Sequence, residues 1–266
     1  EHSTKGPMSL DFRLWSGLEG GGVPVENEFK LEMAKIGWLD RRVDNLYYTL
    51  LAAYEVLMET SEGDSAHTIL KQVLTDALQL ISWTEPGSHE FYESCYAAEE
   101  NLTKSLQAIN KSSDITVHTV GHTHIDVAWL WRLKNTREKS ARSFSTVLHL
   151  MKQFPEYLFL QTQPQLYDYI KTDYPDIYEQ MKARIAEGKW EAGGAMWLEA
   201  DCNIPSGESL VRQILHGKAY FKEEFGVDCE YLWLPVVFGY SWALPQILKK
   251  SGIKTMITTK ISWQQY

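Results

Sequence analysis

The sequence has few cysteines, and they form no recognisable motif. Cys95, Cys202 and Cys229 are odd in number and widely spaced, and no C-x-x-C pair is present. This pattern gives no indication of a cysteine-based metal knuckle or redox site. A reducing compartment fits it best, so we predict a cytoplasmic protein.

The sequence also lacks a long apolar run and a basic cluster. No window reaches the roughly 18 uninterrupted apolar residues of a membrane span, and the N-terminus has no apolar core behind a basic head. The formal net charge of −9 argues against nucleic acid or an anionic membrane surface as the main partner. We therefore predict neither of them as a partner.

What is present suffices for a packed core, because 44% of the 266 residues are hydrophobic. Residues 1–27 contain the strand-like SLDFRLW and the glycine-rich linker SGLEGGGVP. Apolar residues at steps of three and four then predict helices over 28–60, 64–80 and 89–108. We expect a helical segment over 28–113.

The pattern changes at residue 114. Short runs rich in β-branched and aromatic residues predict strands over 115–122, 156–162, 189–197, 230–235 and 254–259. Helical patterns lie between them at about 136–153, 164–187, 207–225 and 242–251. This alternation indicates an α/β fold with parallel strands and helical crossovers. Ligands in such folds gather at the carboxyl ends of the strands.

The first predicted strand ends in GHTHIDVAWLWR. His124 and Asp126 flank one residue, so both side chains can point the same way and contact one cation. Imidazole nitrogen with carboxylate oxygen suits zinc or a similar divalent metal. His122 crowds the same edge, although two ordinary polar groups at a strand end would give the same spacing. Trp129 and Trp131 follow, and they are either aromatic walls of a sugar site or part of the core.

The third predicted strand is followed by two acidic residues and a helix start. Glu199 and Asp201 lie close together in the sequence, and Ser206 is well placed to cap the next helix. Asp201 has no local structural role that the sequence reveals. It is therefore either a functional carboxylate or an ordinary solvated one.

The fourth predicted strand ends in LWLPVVFGYS, which has the form of an active-site rim without a reactive group. Gly239 suits a tight turn, and Ser241 is available as the N-cap of the next helix. A glycoside hydrolase needs two carboxyl groups at a suitable separation. The strand end offers only Val236 and Val237.

Three stretches together resemble the α-mannosidases of glycoside hydrolase family 38, particularly the bacterial and cytosolic type. They are HTHIDVAWLWR, WEAGGAMWLEADCNIPSGESLVRQ and LWLPVVFGYSWALPQILKKSGIKTMITTK. The resemblance implies that residues 1–27 are the tail of an N-terminal β domain and a linker, followed by the helical segment. It implies that 114–266 are the first part of a catalytic α/β barrel, which is seven-stranded in the family.

The resemblance also implies a chemistry and a set of residues. The family holds one Zn²⁺ ion that contacts enzyme and sugar, and it cleaves α-mannoside oligosaccharides through a covalent glycosyl-enzyme. By position, His124 and Asp126 match the first two zinc ligands, and Trp129 matches an aromatic residue of the sugar site. Asp201 matches a carboxylate of the substrate pocket, and Phe238 matches an aromatic residue that packs beneath the sugar.

The chain departs from the family at Val236. The family reads Leu-Pro-Asp-x-Phe-Gly-x-Ser there, and its aspartate is both zinc ligand and nucleophile. Valine can do neither. The family's general acid and last zinc-binding histidine would lie beyond Tyr266, so the implied zinc site is incomplete on this chain.

These observations favour a segment of a zinc-dependent retaining α-mannosidase that is impaired at position 236. The alternative is a non-catalytic carbohydrate-binding or structural remnant of the same family. A metal-dependent hydrolase of another substrate would rest on His124 and Asp126 alone. A barrel cut after its first strands leaves an unpaired edge, so we expect the rest of a longer polypeptide or a homo-oligomer to be needed.

Overall fold

A computed structural model describes residues 37–109 and 116–263, which separate into two units near residue 117. The first unit contains helices α1 (Arg41–Glu59), α2 (Ser65–Leu80) and α3 (His89–Ala108). The helices predicted over 64–80 and 89–108 are confirmed. The three helices share a small buried core of Leu46, Ala77, Ile81, Cys95, Ala98 and Leu102. The predicted strand and linker over 1–27 lie outside the described residues.

Helix α1 begins later than predicted. The sequence pattern placed the start of this helix at Glu28, but residues 37–40 are not helical and α1 begins at Arg41. Asp40 is the N-cap, and its side chain accepts hydrogen bonds from the backbone N–H groups of Arg42 and Val43. A cap of this kind stabilises a helix start by about 1 kcal/mol, which the apolar spacing alone does not reveal. Residues 28–36 lie outside the described residues.

The second unit alternates strands and helices, as predicted. Its strands are β1 (Gly121–His122), β2 (Phe159–Gln161), β3 (Trp190–Ala192), β4 (Tyr231–Trp233) and β5 (Thr255–Ile257). Its helices are α4 (Leu133–Gln153), α5 (Pro164–Asp173), α6 (Pro175–Ala186), α7 (Gly207–Phe225) and α8 (Leu244–Lys250), and a 3-10 turn covers Lys260–Trp263. The described strands form two sheets, β1-β2-β3 and β4-β5, and every pairing is parallel.

The strands are shorter than the apolar runs that predicted them. In the run over 189–197, pairing stops at Ala192, because Gly194 and Ala195 both adopt positive φ angles, 109° and 70°. Such angles bend the backbone away from the sheet, and they are rare for a residue with a side chain. The sequence run therefore continues beyond the strand into a loop.

Two helix predictions need correction. The pattern over 164–187 is two helices rather than one, because Pro175 starts α6 and its ring fits only the first turn of a helix. Helix α8 has Ala243 as its N-cap instead of Ser241. The Ser241 hydroxyl accepts from the backbone N–H of Ala243 at 3.2 Å, in the turn before the helix.

A cluster of fully buried aromatic rings supports the sheet. Trp190 packs edge-on against Phe144 and Phe159, with ring centroids 5.3 Å and 4.6 Å away. Its indole N–H donates to the Tyr167 hydroxyl at 2.8 Å, and that hydroxyl donates to the carbonyl of Gln161 at 2.9 Å. The polar atoms of this core are therefore paired, as burial requires. Among the described residues, no helix is both long enough and apolar enough to cross a membrane.

Helix α7 lies directly on the loop that follows β3. A Cβ on Gly217 would come within 2.1 Å of the Ala195 carbonyl oxygen and 2.5 Å of the Met196 carbonyl carbon. Both atoms belong to backbone, so neither can rotate away. Glycine at this position sets the distance between the helix and the loop.

Gly217→Ala should therefore destabilise the fold by about 1–3 kcal/mol through overpacking, despite the better helix propensity of alanine. Chemical denaturation measures the change. Gly207→Ala is the matched control on the same helix, since its Cβ would meet no described atom within 4 Å. Equal stability of the two variants would contradict this packing.

Thr136, in the first turns of α4, holds the loop that follows β1. Its fully buried hydroxyl accepts from the backbone N–H of Ala128 at 3.1 Å and from the Trp131 indole at 3.0 Å. It donates to the carbonyl of Asp126 at 3.3 Å. Ala128 has a φ of 69°, a conformation that costs an L-residue about 1–2 kcal/mol, and these contacts hold it there.

Thr136→Val removes the hydroxyl at nearly constant volume and leaves two donors unpaired. We expect a loss of about 1–3 kcal/mol in unfolding free energy, measured by denaturant titration. Thr136→Ser keeps the hydroxyl and should retain most of that stability. A valine variant as stable as the serine variant would show that the hydroxyl does not hold this loop.

Candidate functional site

His122 stands at the end of β1 with its ring held on two sides. Its Nδ1 lies 2.9 Å from the carbonyl oxygen of Leu160 in β2. A carbonyl can only accept, so Nδ1 is the donor. The ring also lies against Trp233 at the end of β4, with centroids 4.9 Å apart. Its Nε2 is buried without a hydrogen-bond partner.

His124, two residues further, lies between two carboxylates. Its Nε2 is 2.8 Å from Oδ1 of Asp126, and its Nδ1 is 3.2 Å from Oε2 of Glu199. The first contact is a hydrogen bond, whereas the second is an ion-pair distance without hydrogen-bond geometry. Burial disfavours the charged ring, but the two carboxylates outweigh it and raise the pKa of His124 to about 9. The bond from His124 lowers the pKa of Asp126. This ring is thus placed to carry a positive charge or to bind a cation.

Glu199 is the residue of this site to which the sequence assigned no role. Its side chain is only 3% exposed, and the Thr162 hydroxyl donates to its Oε1 at 3.3 Å. It was visible as an acidic residue after the third strand, but nothing in the local pattern distinguished it from Asp201. The contact with His124 joins residues that are far apart in sequence, so only the fold reveals it.

Two buried glutamines bring the loops of this site together. The Gln161 side-chain amide donates to the carbonyl of Thr123 at 3.2 Å, and the Gln163 amide donates to the carbonyl of Ile125 at 2.9 Å. The Gln163 side-chain oxygen also accepts from the backbone N–H of Glu199 at 3.1 Å. The end of β2 therefore fixes the backbone on both sides of His124 and the backbone of Glu199.

The residues around His124 fit a divalent cation. Ligand atoms of His122, His124 and Glu199 lie within 4.8 Å of one another. His122 Nε2, His124 Nδ1 and Glu199 Oε2 are all buried without a hydrogen-bond partner. Imidazole nitrogen and carboxylate oxygen are donors that zinc takes. A cation has two possible places, an outer one between His124 and Asp126 and an inner one toward Glu199.

The aromatic candidates lie on exposed loop positions. Trp129 is 58% exposed and packs edge-on against Trp131, and Phe238 is 75% exposed with the Lys260 ammonium 5.9 Å from its ring centre. Among the described residues, no hydrogen bond or ion pair joins Trp129 or Phe238 to His124. Both rings are largely exposed, with the Lys260 ammonium over one face of Phe238.

Asp201 has a local role that the sequence did not reveal. Its Oδ1 accepts from the backbone N–H of Asn203 at 2.7 Å, which closes a turn through the side chain. The Asn203 amide in turn lies against Gly239, where a Cβ would approach its oxygen to 2.1 Å. Asp201 therefore shapes the place where the loops after β3 and β4 meet.

Val236 is partly buried in the loop after β4 and has no polar side-chain atom. The neighbouring Pro235 carbonyl accepts from the Thr259 hydroxyl at 2.8 Å, which fixes the backbone beside it. Earlier in the same segment, the backbone N–H of Trp233 donates to the Gly194 carbonyl at 3.3 Å. The segment is thus well anchored, but it brings no reactive group.

Comparison with known proteins supports one family. The profile of the "Glycosyl hydrolases family 38 N-terminal domain" matches residues 114–266. The chain is 38% identical to Alpha-mannosidase 2C1 of Mus musculus and 36% identical to Alpha-mannosidase G of Dictyostelium discoideum. Each match covers 90% of this chain and, respectively, 22% and 21% of the relative. It is 42% identical to Alpha-mannosidase of Saccharomyces cerevisiae over 55% of this chain and 14% of that protein.

The chain thus spans between 14% and 22% of the length of these relatives. The matched profile covers more than half of the chain. The chain belongs to glycosyl hydrolase family 38.

Proposed function

We propose that this chain is a segment of a zinc-dependent, retaining α-mannosidase that hydrolyses terminal α-mannosides, impaired because Val236 replaces the catalytic aspartate. The observation that carries the proposal is the contact between His124 and Asp126 at the carboxyl end of β1, in a chain of family 38. This strand end is where the ligands of parallel α/β folds bind.

We further propose that the two parallel sheets are neighbouring parts of one barrel, the seven-stranded barrel that the resemblance implies. Two contacts support this arrangement. The Trp233 N–H donates to the Gly194 carbonyl just beyond β3, and the His122 ring lies against the Trp233 ring. The ends of β1, β3 and β4 then open on the same side, as a common active site requires.

In this proposal each residue has a definite task. His124 and Asp126 would hold the zinc ion, which supplies a Lewis acid for an oxygen of the sugar. Trp129 and Phe238 offer exposed aromatic faces to the apolar C–H side of a mannose ring. Asp201, on the loop after β3, offers a carboxylate for the sugar hydroxyls.

The residue that would limit activity is Val236. A retaining glycosidase needs a carboxylate that attacks the anomeric carbon, and the family places its aspartate here. Val236 has neither a lone pair for the attack nor an oxygen for the metal. Hydrogen bonds hold the backbone around Val236, which supports a difference from the family in the side chain alone.

Val236→Asp, made in the longer protein, should raise kcat/KM for an activated α-mannoside by at least about a thousandfold, because loss of a nucleophile removes most of catalysis. Steady-state kinetics measures the change. Val236→Asn is the matched control, since its amide is similar in size but is no competent nucleophile. If the valine form is already as fast as the aspartate form, the assignment of position 236 is wrong.

The alternative function is carbohydrate binding without catalysis, or a structural remnant. The exposed aromatic side chains favour binding, because Trp129, Phe238 and Trp242 are at least 58% exposed on loops of the same unit. Calorimetric titration with mannose should then give a saturable heat of binding in the absence of turnover. Trp129→Ala should weaken that binding, whereas Trp83→Ala, which removes an exposed tryptophan of the helical unit, should not. Absence of heat would leave the structural remnant.

We also propose a partner and a location. Ile204 is 94% and Trp242 101% exposed, and the rest of a longer chain or a second copy would cover such apolar side chains. A cytoplasmic location is supported by the cysteines, since Cys95, Cys202 and Cys229 are all free and buried. Burial raises the pKa of each thiol, which leaves them protonated and unreactive.

A further inference from the structure

We propose that Glu199 is a positioning residue for the metal site. Its carboxylate accepts a hydrogen bond from the Nδ1–H group of His124, which orients the ring so that Nε2 faces the ion beside Asp126. This rests on the proposed function, since it requires a zinc ion beside His124. Neither the family match nor the resemblance assigns a role to Glu199. The proposal is based on the arrangement of two carboxylates around one imidazole.

The two sides of the His124 ring differ in their access to solvent. The ring has Asp126 at Nε2 and Glu199 at Nδ1, 2.8 Å and 3.2 Å away. The Asp126 side chain is 38% exposed, whereas that of Glu199 is 3% exposed. A catalytic zinc ion keeps a coordination position open for substrate. The Asp126 side is the more accessible of the two, so His124 Nε2 and Asp126 would hold the ion, in place of the proton that they share.

Glu199 is placed to orient the His124 ring. A histidine that binds a metal through one ring nitrogen almost always donates its other N–H to a carboxylate, a carbonyl or water, which fixes the tautomer and the ring orientation. Oε2 of Glu199 is 3.2 Å from Nδ1, and neither atom has another hydrogen-bond partner. A hydrogen bond between these two atoms would pair both of them. An unpaired buried carboxylate would be costly.

A positioning residue must itself be held in place. The Glu199 backbone N–H donates to the Gln163 side chain, and its Oε1 accepts from the Thr162 hydroxyl. Both partners follow β2 and are only 2% exposed. Nε2 of His122 lies 3.9 Å from Oε1, beyond hydrogen-bond distance. Glu199 is therefore held by a buried framework and not by the metal.

The test is metal binding itself. In the longer protein, Zn²⁺ affinity is measured by competition with a chromophoric chelator, and the ligand field is read from the visible spectrum of the Co²⁺ form. Glu199→Ala should weaken Zn²⁺ binding by about 10–100-fold and leave the Co²⁺ bands in place. Glu199→Gln keeps an oxygen that accepts from Nδ1, so it should lose less than the alanine variant. Asp126→Ala should remove a ligand and abolish stoichiometric binding.

Glu191→Ala is the matched control. It removes a carboxylate from β3 that accepts from the Tyr231 hydroxyl at 2.6 Å, and it should not change the affinity for Zn²⁺. Far-UV circular dichroism verifies that each variant is folded. If Glu199→Ala does not fold, the comparison is made with Glu199→Gln instead.

Three results would overturn the inference. Unchanged affinity in both Glu199 variants would show that Glu199 has no role in the site, while zinc binding by the unsubstituted longer protein would leave the proposed function standing. If Glu199→Ala abolishes binding while Asp126→Ala retains it, Glu199 is a direct ligand of an ion on the inner side with His122. If the longer protein binds no Zn²⁺, the metal of the proposed function fails, and the inference fails with it.

Discussion

The hydrogen bonds of two buried glutamines are the constraint on which this site depends. Gln161 and Gln163 leave the end of β2 with their side chains in the interior, where each amide bonds a carbonyl of the loop after β1. Gln163 also accepts from the backbone of Glu199. Short parallel strands of two or three residues give little rigidity by themselves, so these amides take over the role that longer strands would have. They place His124 and Glu199 within 3.2 Å of each other.

A buried polar network of this kind is demanding, because every member must be paired and a half-satisfied network is worse than an apolar core. Here the backbone ends of the network are satisfied, whereas its centre is not. Three of the buried atoms without a hydrogen-bond partner lie there: His122 Nε2, His124 Nδ1 and Glu199 Oε2. Native structures retain such atoms where a function or an ion accounts for them. The proposed bond between His124 Nδ1 and Glu199 would pair two of these atoms, and Val236 takes no part in the hydrogen bonds of this network. Under the proposed function, loss of the nucleophile and retention of the metal-binding residues are therefore compatible in one chain.

Much of the fold followed from local patterns. The alternation after residue 114 predicted parallel strands with helical crossovers, and the structure confirms this. The start of α7 was also predictable, since Ser206 caps it through its hydroxyl. The errors came from features that apolar spacing does not encode. Asp40 starts α1 late, Pro175 divides one helical pattern in two, and Gly194 with Ala195 ends β3 early. The family barrel beyond these five strands stays a prediction.

For the site, the sequence by itself determined the chemistry that is available. It supplied the histidines and Asp126 at one strand end, because an H-x-D spacing needs only local backbone, and it determined that Val236 brings no reactive group. The tertiary structure alone decided that Glu199 contacts His124, because that contact joins loops from β1 and β3 across β2. It also decided which side of the imidazole is open, since exposure depends on everything packed around a residue. Spacing along the chain could name candidate ligands, but the division between a ligand and the residue that orients it is set in three dimensions.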